Sequence, residues 1–445
     1  MSELPDKLPE ALPPDRGEAA FEDYKPPWTE AQALAEANRC LYCIDAPCVS
    51  ACPTAINIPE FIRKIATGNV RGSARTIFDS NILGMSCARV CPVEVLCVGD
   101  CVYNRLKQPP IQIGKLQRYA TDMAFDKGWR YYEAGPDTGK HVALIGAGPA
   151  SLSCAHMLRR FGHRVTIYER KQGIRGVGGL NTNGVAPYKM KADRSLAEVE
   201  WVLGIGGIDI RTGVEIGKDL SLSDLERDHD AVFVGIGLGP DNHLGIPGED
   251  LDGVTGAVAF IERMKLDPIE LGHKRVVVVG GGNTAMDCVR EAATLGMREV
   301  TLVYRGTEAA MSGYSHEWDA AKILGVRASW RSLPVAYEGE GNKVTGVRVV
   351  ALDDKKQPIA GTERVIPADL VLVAIGQAKL LSELAALGGI QMDRSRVLVD
   401  KDGFTGRPKW FAGGDLANGG KEVVNAVAEG RDAARGIHAF LSAAG

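Results

Sequence analysis

The sequence predicts a chain of α/β class: an N-terminal helical domain holding two four-iron clusters, then two Rossmann-like nucleotide-binding domains, the first interrupted by the second. Two observations carry this. Eight of the ten cysteines lie between Cys40 and Cys101, among residues with helical periodicity. Two apolar runs, His141–Ile145 and Arg275–Val279, each lead straight into a glycine-rich turn, the pattern of a buried parallel strand entering a nucleotide loop.

Composition narrows the class. At 445 residues the chain has room for two or three domains with their own cores. Apolar content of 45% with 24% charged residues is ordinary for a globular protein, and 53 glycines suit several tight phosphate-binding turns. A net charge of -4 gives no electrostatic case for nucleic acid or an anionic membrane. No run of about 18 apolar residues is present, and Met1 to Lys25 lacks the apolar core of an export signal. A reducing, cytoplasmic setting is therefore expected, in which the cysteines do not serve as structural disulfides.

The elements follow in order. An arm, residues 1–28, is extended because Pro26-Pro27 discourages helix. Thr29 is a good N-cap for a helix leading toward Cys40. Ile58 to Phe78 and Ile113 to Phe125 carry apolar positions at helical spacing, so residues 29–135 form the helical iron–sulfur domain. Residues 136–262 and 377–445 form a discontinuous FAD-binding domain, and 263–376 form the NAD(P)H-binding domain. The apolar run Leu370–Ile375, ending at Gly376, marks return of the chain to the first. The tail, Trp410 to Phe440, reads as a strand, a glycine turn and a long helix.

The cysteines read Cys40-x2-Cys43-x4-Cys48-x3-Cys52-Pro53 and Cys87-x3-Cys91-Pro92-x4-Cys97-x3-Cys101. Eight thiolates satisfy two 4Fe-4S clusters. Two zinc sites compete, but zinc pairs usually sit on tighter turns, and intervals of four and five residues occur here. In two-cluster ferredoxins the cysteine before proline serves the other cluster, so a crossed partition is expected: Cys40, Cys43 and Cys48 on one cluster and Cys52 on the other, with the second motif divided likewise. Cys154 and Cys288 lie in helices after the nucleotide loops and read as small core residues.

Gly146-Ala147-Gly148-Pro149-Ala150-Ser151 is a G-x-G-x-x-S loop. Its first glycine permits the turn, and its second lets backbone approach a pyrophosphate at the N-terminus of the following helix. Glu169, closing the strand Arg164–Tyr168, stands where an acid binds ribose hydroxyls. Gly280-Gly281-Gly282-Asn283-Thr284-Ala285 is the second fingerprint, and its second strand ends at Arg305. An arginine there can pair with a 2′-phosphate, but Gly306 and Glu308 argue against it, so the reading is NADH with NADPH open. The tail assigns the first loop to flavin. In Trp410-Phe-Ala-Gly413-Gly414-Asp415, followed by Glu422-Val-Val424-Asn425, the Asp can bind ribityl hydroxyls, and the new helix can favour negative charge at the flavin N1 edge.

The cysteine segments, with Pro110-Ile-x-Ile-Gly114-x-Leu116-Gln117-Arg118, resemble the N-terminal half of dihydropyrimidine dehydrogenase, which in bacteria is a separate subunit. The resemblance spans essentially the whole chain. The small subunit of glutamate synthase shares the architecture, but its last three cysteines are spaced C-x3-C-x3-C. This chain instead has Cys91-x5-Cys97-x3-Cys101, and it keeps Gln117 where the pyrimidine enzymes place a glutamine ligand. The resemblance implies one cluster on Cys40, Cys43, Cys48 and Cys101 and the other on Cys52, Cys91, Cys97 and Gln117, leaving Cys87 spare. It also implies flavin contacts at Gly179 and Leu180 in Gly178–Thr182 and at Pro187-Tyr188-Lys189, where the family's usual aromatic–Arg ending is replaced.

The implied activity is electron input. A nicotinamide on the Gly280 loop gives hydride to flavin, and the clusters carry single electrons to a partner FMN subunit that reduces uracil or thymine. That FMN/iron–sulfur partner makes a hetero-oligomer. No general acid or base is assigned, because hydride transfer needs positioning. A self-contained disulfide reductase would need Cys-x-x-Cys in the nicotinamide domain, where only Cys288 lies. A metal-stapled binding protein with vestigial nucleotide folds would show no flavin colour.

Overall fold

The computed structural model describes residues 11–269, 272, 274–380, 384, 385, 388–393 and 396–443. Both apolar runs become central strands of separate parallel sheets. The first sheet has the order β13-β4-β1-β2-β3, with β1 His141–Ile145, β2 Arg164–Glu169, β3 Ile208–Thr212, β4 Ala231–Val234 and β13 Trp410–Ala412. The second has the order β5-β12-β6-β7-β8, with β5 Val254–Gly256, β6 Arg275–Gly280, β7 Glu299–Val303, β8 Arg327–Ser329 and β12 Leu370–Ala374. A three-stranded antiparallel sheet is inserted between β8 and β12: β9 Ser332–Glu340, β10 Lys343–Ala351 and β11 Arg364–Pro367.

The strands read as unbroken apolar runs because both faces are covered. In β1, Val142 and Leu144 enter one core while Ala143 and Ile145 enter another. In β6, Val276 and Val278 pack against helices, while Val277 and Val279 pack against the inserted sheet through Tyr337, Val347 and Val349.

Strand β5 belongs to the second sheet, so the chain enters that sheet at Val254, and the expected boundary at 263 falls inside the helix Ala257–Leu266. That helix buries Phe260, Ile261 and Met264 against the second sheet. Composition gave no sign of this, because the strand is short and only half-buried. The chain passes back beside Gly376. Gly239 to Asn242 and Gly376 to Ala378 run side by side, with N–H···O distances of 2.8 to 2.9 Å.

The N-terminal region is helical as expected, and Thr29 forms a capping box with Gln32. The periodic stretch from Ile58 to Phe78 is two helices, Ile58–Ala66 and Val70–Ser80, broken at Gly68 (φ +76°) and restarted by the Asn69 side-chain cap. These helices and Ile113–Asp126 share one core with the first sheet. At the junction Trp201 packs on Phe78 (centroids 4.6 Å apart) and Phe125 (5.6 Å). Residues 1–10 of the arm lie outside the described residues; residues 11–28 are irregular apart from one turn, Gly17–Ala20, and Phe21 is buried in the core of the second sheet.

His163 links the last helix to the first nucleotide domain: its Nδ1 meets Thr138 Oγ1 at 2.7 Å and its Nε2 meets His438 Nδ1 at 2.9 Å. Burial, then His438 and Arg159, push its pKa down to about 4 from 6.5. A depressed histidine binds fewer protons folded than unfolded, so its contribution is full above pH 6.5 and is lost as pH falls toward 4. His163→Gln should lower the thermal midpoint at pH 7.5, and the gap from wild type should shrink at pH 5. Differential scanning fluorimetry at the two values checks this; a constant gap overturns it.

Candidate functional site

A cavity of about 1040 Å³ opens at the C-terminal ends of the first sheet's strands. Gly146 (φ +91°) makes the turn, and a Cβ there would meet Gly235 O at 2.7 Å. Gly148 has nothing within 4 Å on its Cβ side, so its backbone faces open space at the N-terminus of the helix Pro149–Arg160. Glu169 accepts hydrogen bonds from Ala147 N at 3.0 Å and Lys171 N at 2.9 Å. Gly179, Leu180, Gly414 and Asp415 also line the cavity, with Pro149 and Ala150.

Two expected contacts sit elsewhere. Ser151 is fully buried beneath the loop against Gly235. Val424 is turned into the core while its neighbour Val423 lines the cavity, because successive helical residues point about 100° apart. Tyr188 and Lys189 are also absent from the cavity lining and face the second sheet's helices instead.

Sequence reasoning missed Asn181, Asn183 and Glu422. The side-chain oxygens of Asn181 and Asn183 are buried without a hydrogen-bond partner, in residues that line the cavity. Asn181 donates to Ser86 Oγ at 2.9 Å and to Ser195 Oγ at 3.1 Å, while Asn183 donates to Arg175 O at 2.8 Å. Orphan acceptors suit a ligand presenting N–H groups. Burial pushes the carboxyls of Asp415 and Glu422 up, as suits acceptors of hydroxyl donors. An isoalloxazine with its ribityl chain and pyrophosphate fits this set: amide acceptors, a carboxylate and an open loop backbone.

The second loop repeats the turn. A Cβ on Gly280 would meet Ala374 O at 2.2 Å, and one on Gly281 the Tyr304 ring at 2.4 Å. Gly282 caps the helix Asn283–Thr294; Thr284 is half-buried in its first turn and Ala285 is in the core. Asn283 Oδ1 accepts from Tyr314 N at 3.1 Å, and Tyr314 in turn donates its hydroxyl to Glu422 Oε1 at 2.8 Å. Arg305 is exposed at the end of β7, and Glu308 is engaged by Lys322 at 2.9 Å.

All ten cysteines are free thiols. Electrostatics sorts those of the helical domain. Cys48 is pushed up to about 12 by burial and then by Cys101, Cys40 and Cys43, and these four line one apolar recess. Cys97 is raised by burial, by Cys52 and by Cys48 of the first recess; Cys91 is raised by a contact with Cys87, by burial, and by Cys97 and Cys52. Thiols are the donor type that iron–sulfur clusters take, although no three His, Cys, Asp or Glu among the described residues stand grouped as they would around a single metal ion. Cys101 lines the recess of Cys40, Cys43 and Cys48, and Cys52 acts on both Cys91 and Cys97. Cys87 adjoins Cys91. Gln117 is buried and anchors its Nε2 on Gly84 O at 2.8 Å, and its oxygen makes no hydrogen bond among the described residues.

Two family profiles match. Residues 17–129 match dihydropyrimidine dehydrogenase domain II, 4Fe-4S cluster, and residues 140–430 match pyridine nucleotide-disulphide oxidoreductase. The chain belongs to the pyridine nucleotide-disulphide oxidoreductase family. This family member carries an iron–sulfur domain and is an NAD(P)H-dependent oxidoreductase. It is 37% identical to the glutamate synthase (NADPH) small chain of Escherichia coli, over 95% of this chain and 94% of that one. It is 35% identical to the NAD-dependent dihydropyrimidine dehydrogenase subunit PreT of Escherichia coli, over 95% and 98%. Among solved structures, T. acidophilum thioredoxin reductase has the same fold (TM-score 0.54, 22% identity, 67% of this chain and 98% of that one). No helix among the described residues is long and apolar enough to cross a membrane.

A Cβ on Gly430 would meet Ala150 O at 2.0 Å, so the last helix touches the flavin loop only because residue 430 is glycine. Gly430→Val should weaken FAD retention about tenfold or more, the effect of ~1–3 kcal/mol of overpacking; flavin absorbance per chain after gel filtration measures it. Cys101→Ser should disturb the same electron paramagnetic resonance signal as Cys48→Ser and leave the other cluster intact. Loss of the other signal instead would reverse the crossed partition.

Proposed function

We propose that this chain is the electron-input subunit of a larger oxidoreductase: it takes hydride from NADH at the Gly280 loop, with FAD and two 4Fe-4S clusters as its carriers, and delivers single electrons to a partner FMN subunit that reduces uracil or thymine. The observation that carries the reading is the presence of three donor sets in one chain: a cavity with orphan amide acceptors, a glycine loop hydrogen-bonded to it through Tyr314 and Glu422, and a helical domain crowded with thiols. When bound, flavin supplies conversion of a two-electron donor into one-electron steps.

The chain's own residues bind and orient. The N–H groups at the Pro149 and Asn283 helix starts receive phosphates. Asp415 accepts ribityl hydroxyls, and Asn181 and Asn183 present carbonyl oxygens to the ring edge. Cys40, Cys43, Cys48 and Cys101 hold one cluster. Cys52, Cys91 and Cys97 hold the other, with Gln117 as fourth ligand. The pyrimidine partner is favoured by the Cys91-x5-Cys97 spacing and by Gln117. A glutamate synthase role stands second, favoured by near-full-length identity to that enzyme's small chain.

Anaerobic purification from the native host, with mass spectrometry of co-eluting chains, should recover an FMN-containing iron–sulfur subunit in stoichiometric amount. A large amidotransferase in its place gives the chain to glutamate synthase. In steady-state assays NADH should show the higher kcat/KM; a higher value for NADPH reverses the coenzyme reading.

A further inference from the structure

We propose that Lys189 is a positioning residue for hydride transfer, fixing the helices that frame the Gly280 loop against the flavin domain. The inference rests on the reading of the chain as a nicotinamide-oxidising flavoprotein. Lys189 belongs to a flavin-domain segment, yet its Nζ lies 2.7 Å from Asp287 Oδ1 and 2.6 Å from Glu317 Oε1. The preceding Tyr188 donates its hydroxyl to the same Asp287 oxygen at 2.5 Å, and Arg290 stacks over the Tyr188 ring at 4.1 Å. The three charged side chains are at most 12% exposed.

The position of each carboxylate gives the contact its consequence. Asp287 lies one helical turn beyond Asn283, on the helix whose N-terminus faces the dinucleotide site. Glu317 lies on the helix Ser315–Ile323, immediately after Tyr314. Tyr314 joins Asn283 Oδ1 through its N–H and Glu422, at the flavin cavity, through its hydroxyl. One ammonium thus holds both helices that carry the nicotinamide loop and its cover. Without it two buried carboxylates face the seam uncompensated, and their repulsion separates the helices. Buried ion clusters are poor general glue, since apolar residues of similar volume hold a seam as well. What an ammonium between two carboxylates adds is register, and reacting atoms misplaced by about 1 Å can cost a hundredfold in rate.

The test uses the purified holoprotein. Flavin reduction by saturating NADH is followed anaerobically by stopped flow, and ADP-ribose binding is measured by calorimetry. Lys189→Met should lower the limiting rate of flavin bleaching about tenfold or more while FAD content, iron content and ADP-ribose affinity hold, and Lys189→Arg should restore most of the rate. Should Lys189→Met fail to accumulate, Glu317→Gln, which keeps the Lys189–Asp287 pair, should give a smaller fall of the same kind. An unchanged limiting rate overturns the proposal. So does an ADP-ribose affinity that falls in step with the rate, because that marks a general structural role. If wild-type flavin is bleached by neither NADH nor NADPH, the functional reading fails first and takes this inference with it.

Discussion

The geometry between flavin and iron hangs on one buried carboxylate. Glu198, fully buried on the flavin-domain helix Ala192–Leu203, accepts hydrogen bonds from Met85 N at 2.8 Å, from Ser86 N at 3.2 Å and from the Ser86 hydroxyl. It caps the helix Gly84–Val90, which carries Cys87, runs into Cys91 and offers its Gly84 carbonyl to Gln117. Ser86 also receives Asn181 from the cavity. Burial raises the Glu198 carboxyl to about 7, against the pull of its hydrogen bonds. So expensive a group persists where three N–H and O–H donors of another domain would otherwise be buried unpaired.

The same logic explains why the helical domain is not a loose appendage. Trp201, three residues beyond Glu198, stacks among Phe78, Phe125 and Tyr131, and Arg431 of the last helix donates to Thr54 O and Ser80 O at 2.8 Å. Side chains of the flavin domain thus end in the carbonyls and aromatic faces of the cysteine domain. Electron transfer between centres needs fixed separation, and a shared apolar core with a few directional bonds supplies it.

Strong local rules made much of this legible. The two glycine fingerprints, Glu169 and the Thr29 cap are short-range patterns whose physics is complete within about 25 residues, and each appears in the structure where the sequence put it. The Cys-Pro pattern set Cys52 apart from its own motif, while the placing of Cys101 came only from the resemblance. Features depending on tertiary context were not. Strand β5 is three residues long, Val423 and Val424 differ only by helical phase, and Tyr188-Lys189 carries no signal distinguishing a flavin contact from a contact with a second domain. Asn181 stood in a recognised segment and Asn183 just beyond it, but only the fold shows that their oxygens lack partners among the described residues.

The two loops have nearly the same chemistry, so what faces them decides what they bind. Gly148 looks into a cavity walled by Asn181, Asn183 and Asp415, a closed set of acceptors suited to a resident group. Among the described residues only Ser312 Oγ comes within 4 Å of the Cβ side of Gly282, at 3.8 Å, on the segment that continues through Gly313 to Tyr314, whose hydroxyl donates to Glu422. Lys189 fixes the helix at the root of that cover, and over the loop itself the cover is held by Gly313 N to Gly281 O at 2.9 Å, Ser312 Oγ to the same oxygen at 3.4 Å and Tyr314 N to Asn283 Oδ1 at 3.1 Å. A bond of this kind is worth about 0.5–1.5 kcal/mol net, little enough for a transient ligand to displace. A resident carrier needs walls and a passing donor needs a door, and one fingerprint serves both because specificity lies in the surrounding side chains and not in the glycines.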